Sequence, residues 1–144
     1  MRVVTDALHV QSKGENHIID ITEALQSAIQ RSGVRDGLVT VFVAGSTGAI
    51  TTIEYEPGLL KDFPEMLERI APEGAPYEHE MAWHDGNGHS HVRASLIGPS
   101  LTVPITGGRL TLGTWQQIVF LELEVRPRSR TLVVQVLGER VCPE

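Results

Sequence analysis

The sequence predicts a compact single-domain α+β protein, a largely antiparallel β-sheet system carrying two main helices. Three observations lead there. Residues 20–32 and 59–70 repeat apolar side chains at helical spacing. Most of the remainder alternates, or runs apolar in short stretches rich in β-branched residues. The last third reads as strands parted by turn residues at Gly107-Gly108 and Arg126-Pro127-Arg128-Ser129. No internal repeat or low-complexity tract divides residues 1–144, a length able to bury a core without disulfides.

Each element has its own reason. Residues 2–10 alternate as a strand with Val4 and Leu8 on one side. Asp20 and Glu23 form a D-x-x-E capping pattern around Ile21, Ala24, Leu25, Ala28 and Ile29, and Gly33 supplies the C-cap. Leu38–Ala44 is apolar almost throughout, which predicts a central strand buried on both faces. Gly45-Ser46-Thr47-Gly48 then suggests a bulge or close backbone approach before a second strand that reaches Glu54.

Leu59, Leu60, Phe63, Met66, Leu67 and Ile70 mark the second helix, and Pro64 predicts that it starts near residue 62 or kinks. Residues 72–90 show no apolar period and read as a long loop, of the kind that carries function in compact domains. Strands are predicted at Leu101–Ile105, Arg109–Leu112, Gln116–Glu124 and Thr131–Leu137, with Arg126–Ser129 as the final hairpin turn.

Composition narrows the function. Twelve Lys and Arg against eighteen Asp and Glu give a net charge of -6, which argues against a general nucleic-acid partner. A small anion held by a local cluster of donors remains compatible with that charge. The single cysteine, Cys142, allows no disulfide within the chain and fits a reducing compartment. The N-terminal residues lack the apolar core of a signal peptide, and no run approaches the roughly 20 residues of a membrane span. The expectation is a cytoplasmic, soluble protein without a membrane partner.

The chemistry concentrates between Tyr77 and Gln116. His89-x-His91 would put both imidazoles on one face if extended, but would part them by ~200° if helical. Asp85-Gly86-Asn87-Gly88 favours the extended form, and His79 lies in the same loop. His79, His89 and His91 are therefore candidate ligands for a divalent metal, zinc or magnesium. Glu54 is a candidate general base or a carboxylate backing a ligand, against the plainer reading of a solvated strand end. Ser46 and Thr47 between glycines could cradle a phosphate, with Asn87 and Arg93 as further contacts. Thr114 and Gln116 flank Trp115 and border the same expected pocket. His84 reads as a bystander, while His9 and His17 lie outside the cluster and read as structural or solvated.

The motifs Ala49-Ile50-Thr51 with Glu54, Tyr77-x-His79, His91-x-x-Ala94-Ser95-Leu96-x-Gly98-x-Ser100, Pro104, Gly108-Arg109 and Leu112-Gly113-Thr114-Trp115-Gln116 match a known pattern. On them the chain resembles the YjbQ-like family, also called secondary thiamine-phosphate synthase enzymes. The resemblance covers most of the chain and implies a compact α+β domain that assembles as a homotrimer. It implies a transferase joining a hydroxymethylpyrimidine diphosphate to a thiazole phosphate, hence a small phosphorylated substrate. It also implies Glu54, His79 and His91 as catalytic residues. Two other readings stand beside it: a metal-dependent hydrolase, and a non-catalytic metal- or phosphate-binding trimer. One departure is Gly45, where many relatives carry histidine; His89 is expected to replace it in the pocket.

Overall fold

A computed structural model describes residues 1–140 of the chain; Cys142 lies outside the described residues. The elements run β1 (Arg2–Gln11), β2 (His17–Asp20), α1 (Thr22–Ser32), β3 (Val34–Val43), β4 (Gly48–Ile53), α2 (Leu59–Ile70), α3 (Glu78–Trp83), α4 (Gly88–Ile97), β5 (Ser100–Thr106), β6 (Arg109–Leu110), β7 (Gln117–Glu122) and β8 (Ser129–Arg140). They build a five-stranded sheet of order β1-β8-β3-β5-β6 and a three-stranded sheet of order β2-β7-β4. Every strand pair is antiparallel, as the α+β prediction requires.

The three-stranded sheet is the middle layer. Ile50, Ile118 and Phe120 point from it into one core with α1 and the inner face of the larger sheet. Ala49, Val119 and Leu121 point the other way, against Leu67 of α2 and Ala94 of α4. The strand buried on both faces is thus β7, whose central run Ile118–Leu121 is continuously apolar. This corrects the reading of β3. There Val39, Val41 and Val43 are buried, while Leu38 and Phe42 stand 42% and 41% exposed on the outer face. Apolar outward residues made a one-sided strand look two-sided.

Other boundaries shifted for local reasons. Asp20 Oδ1 accepts from Thr22 N–H at 3.0 Å, so α1 starts at Thr22 without the expected capping box, although Gly33 closes it in the left-handed region (φ 75°). Helix α2 begins at Leu59 despite Pro64, because the Glu56 carboxylate accepts from Gly58 and Leu59 N–H and caps the first turn. Residues 126–129 do not make a hairpin. They carry the chain from β7 in one sheet to β8 in the other. Gly107-Gly108 does make one, with Thr106 opposite Arg109 and both glycines at positive φ (59° and 78°). The expected long loop holds two helices, α3 and the start of α4.

No described helix is long and apolar enough to cross a membrane.

A paired-imidazole candidate site

The site begins with a turn. Glu80 of α3 accepts N–H bonds from Gly86 at 2.7 Å and Gly88 at 2.6 Å, closing the connection into α4. Burial works to raise the Glu80 pKa, but those two N–H groups, with His79 and His89 nearby, hold it below the usual carboxylate range. A side chain at Gly88 would run into Tyr77, 2.7 Å from the position of its Cβ. The sequence therefore starts a helix where an extended segment was expected, and the H-x-H pair splits. His89 turns inward, 1% exposed, with Nε2 2.8 Å from Glu15 Oε2. His91 turns to His79 instead; the ring centroids are 4.4 Å apart and the planes tilted by 47°. Of the three expected metal ligands, the fold joins His79 with His91 and sends His89 elsewhere.

Behind His79 runs a polar relay. Asn87 Nδ2 lies 3.3 Å from both carboxylate oxygens of Glu124, so its Oδ1 faces His79 Nε2 at 3.0 Å. An amide held in that sense makes Nε2 the protonated nitrogen and leaves Nδ1 with the lone pair. Asp85 Oδ1, 3.4 Å from the same Nε2, favours the same tautomer. Burial raises the Glu124 pKa, yet the Val125 N–H, Asn87, Thr47 and Arg128 together bring it below the ordinary range. The relay is thus anchored on an ionised carboxylate.

The remaining candidates are dispersed. Arg93 is 1% exposed and spends its guanidinium on Ala71 O at 2.9 Å, Asn16 Oδ1 at 3.1 Å and Glu68 Oε2 at 2.7 Å. It ties three segments together and presents no free face to a phosphate, which corrects the reading of it as an anion contact. Thr47 is buried under Arg130, whose Nη2 donates to its hydroxyl at 3.0 Å, so the expected phosphate cradle keeps only the exposed Ser46. Gly45 faces Arg130 rather than His89: a Cβ there would stand 3.3 Å from Nη1. The expected replacement of the missing histidine by His89 is not realised. Glu54 opens on a groove of about 500 Å³ with Thr114, Trp115 and Gln116, apart from the imidazole pair. Asn87 does reach the site, as the relay residue.

Sequence reasoning missed Glu15, Glu73 and Glu124. Glu124 had a signal, since Glu122 and Glu124 interrupt the apolar run of the predicted strand Gln116–Glu124. Glu15 and Glu73 lie in turns without any local pattern.

Fold and site together define a single-domain α+β protein of two antiparallel sheets, with a histidine pair on its helical side. Residues 6–139 match the family described as UPF0047 protein YjbQ-like, and the chain belongs to that family. It is 42% identical over 139 residues to a UPF0047 protein of Methanothermobacter thermautotrophicus, covering 96% of this chain and 95% of that one. With UPF0047 protein YugU of Bacillus subtilis it shares 35% identity over 91% of this chain and 97% of that one. A YbjQ-like protein of unknown function from Sulfolobus solfataricus P2 superposes with a TM-score of 0.91 at 31% identity, over 96% of this chain and 99% of that one. The resemblance and the fold class stand. The activity does not: these relatives are known by family designation or as a protein of unknown function, and nothing in them indicates thiamine-phosphate synthase chemistry. The synthase and transferase expectation is corrected accordingly.

Proposed function

We propose that the protein is an acid–base catalyst acting on a small polar molecule, with His79 and His91 as its proton carriers. The observation that carries this reading is the half-buried imidazole pair at 4.4 Å, backed by Asn87 and Glu124. Among the described residues, no group hydrogen-bonds the His91 ring, so its nitrogens are free to meet a ligand. His79 keeps one bare nitrogen because the relay fixes its tautomer. Two imidazoles side by side can take a proton from one atom of a substrate and return one to another.

The test is a panel of small polar metabolites incubated in D2O and followed by mass spectrometry. Wild-type protein is expected to convert or deuterate at least one compound, and His79→Gln and His91→Gln to slow that step by about 10²–10⁴-fold. A conversion that survives in the double variant, or a wild type that changes nothing, would sink the reading.

The larger sheet adds a proposal about assembly. Val3, Leu137 and Leu38 lie in register across β1, β8 and β3, and Phe42 lies beside Val133. All five are exposed on its outer face. An apolar band of this kind supports docking of further copies, and the family resemblance supports three. Sedimentation is expected to find a trimer that Phe42→Glu dissociates; a wild type that stays monomeric at every concentration contradicts the assembly.

A further inference from the structure

On the far side of α4 from His91, three chain segments bring metal-ligating atoms together. Glu15 comes from the β1–β2 turn, Glu73 from the α2–α3 connection and His89 from the first turn of α4. One ligand atom from each lies within 4.8 Å of the other two. Two acids meeting over a buried imidazole need something positive between them: a shared proton, or a cation. The surroundings hold the arrangement in place. Arg93 fixes Asn16, next to Glu15, and Glu68 beside it.

We propose that Glu15, Glu73 and His89 form a binding site for a divalent transition-metal cation of the zinc class. One imidazole with two carboxylates suits zinc better than magnesium or calcium, which favour all-oxygen shells. Three protein ligands leave a fourth tetrahedral position for water. It would face a cavity of about 340 Å³ bordered by Tyr77, Glu80 and Gly86. Ligands bound at about 2.0–2.1 Å sit ~3.4 Å apart around a tetrahedral ion. The His89–Glu15 contact of 2.8 Å must therefore widen by roughly half an ångström as the cation displaces the proton between them. Glu73 is exposed and Glu15 only half-buried, so both can give way. Bound cation would pin both connections to α4, two residues before His91. It would set the position of the imidazole pair without touching it.

The experiment uses full-length protein stripped with chelator, then titrated with zinc chloride by calorimetry and assayed for bound metal. Wild type is expected to bind one zinc per chain. Glu73→Gln and Glu15→Gln should each weaken binding at least about tenfold, and His91→Gln should leave it unchanged. A thermal readout adds a crossed signature. Without metal, Glu73→Gln should melt at or above wild type, because it relieves the acid pair. Zinc should raise the wild-type midpoint but not the variant's. No zinc binding, binding unaffected by both glutamate variants, or binding lost only in His91→Gln would each overturn the assignment. The last would move the metal to the imidazole pair. Except in that last case, failure at this site leaves the acid–base reading standing, and failure of the acid–base reading leaves this site untouched.

Discussion

Arg130→Met is expected to destabilise the protein by about 3–5 kcal/mol, since it leaves one carboxylate charged and unpaired in the core. That carboxylate is Glu122, 0% exposed in the central strand β7. Arg130 reaches it from β8 in the other sheet, with Nη2 at 2.6 Å and Nε at 3.1 and 3.2 Å from its oxygens. Ser12 donates a further hydrogen bond to it at 2.7 Å. Removing the guanidinium keeps the desolvation cost of Glu122 and deletes what offsets it. Replacing both partners with apolar groups, in Arg130→Met with Glu122→Leu, should recover most of the loss. Urea denaturation of the single and double variants decides. A single variant within 1 kcal/mol of wild type would mean that water or another group already satisfies Glu122. The pair also matters to the site: Arg130 holds Thr47, and Thr47 is one of the groups that keep Glu124 ionised beneath Asn87. Relaxation of that corner should reach His79.

How much of this was legible in the chain depends on the range of the force concerned. Helix α1 and the Gly107-Gly108 hairpin could be read because spacing and glycine conformation act within a few residues. Which strand is buried twice could not, since Leu38 and Phe42 are as apolar as anything in β7. Only the placement of the second sheet decides which strand it covers. The H-x-H pair failed for a related reason. Asp85-Gly86-Asn87-Gly88 signals a break, and it is one, but Glu80 gathers the N–H groups of that break and starts a helix from it. A rotation of about 100° per residue then sent two neighbouring histidines to opposite sides. The family motif named His79 and His91, two positions that the fold brings side by side. It said nothing of Glu15 and Glu73, whose meeting with His89 is a purely tertiary event.

Gly37→Ala is expected to cost about 3 kcal/mol or more, at or above the usual range for overpacking, because the clash is with backbone. Between Val34 and Asp36 the register of β3 against β8 slips by one residue, and Gly37 then stands directly opposite Gly138. The two backbones approach so closely there that a Cβ on Gly37 would lie 2.7 Å from Gly138 Cα and also strike the Leu137 carbonyl. Neither group can rotate out of the way as a flexible side chain would. Gly138→Ala meets the same wall from the other side, 2.8 Å from Gly37 Cα, and should cost a similar amount. Gly113→Ala is the control, with only the Gln116 side chain at 3.8–3.9 Å, and should fall within about 0.5 kcal/mol of wild type. If Gly37→Ala unfolds at the same denaturant concentration as Gly113→Ala, the close approach of β3 and β8 is not what holds this end of the sheet. If it unfolds far earlier, the paired glycines set the strand spacing on which the outer apolar band of Leu38 and Leu137 depends.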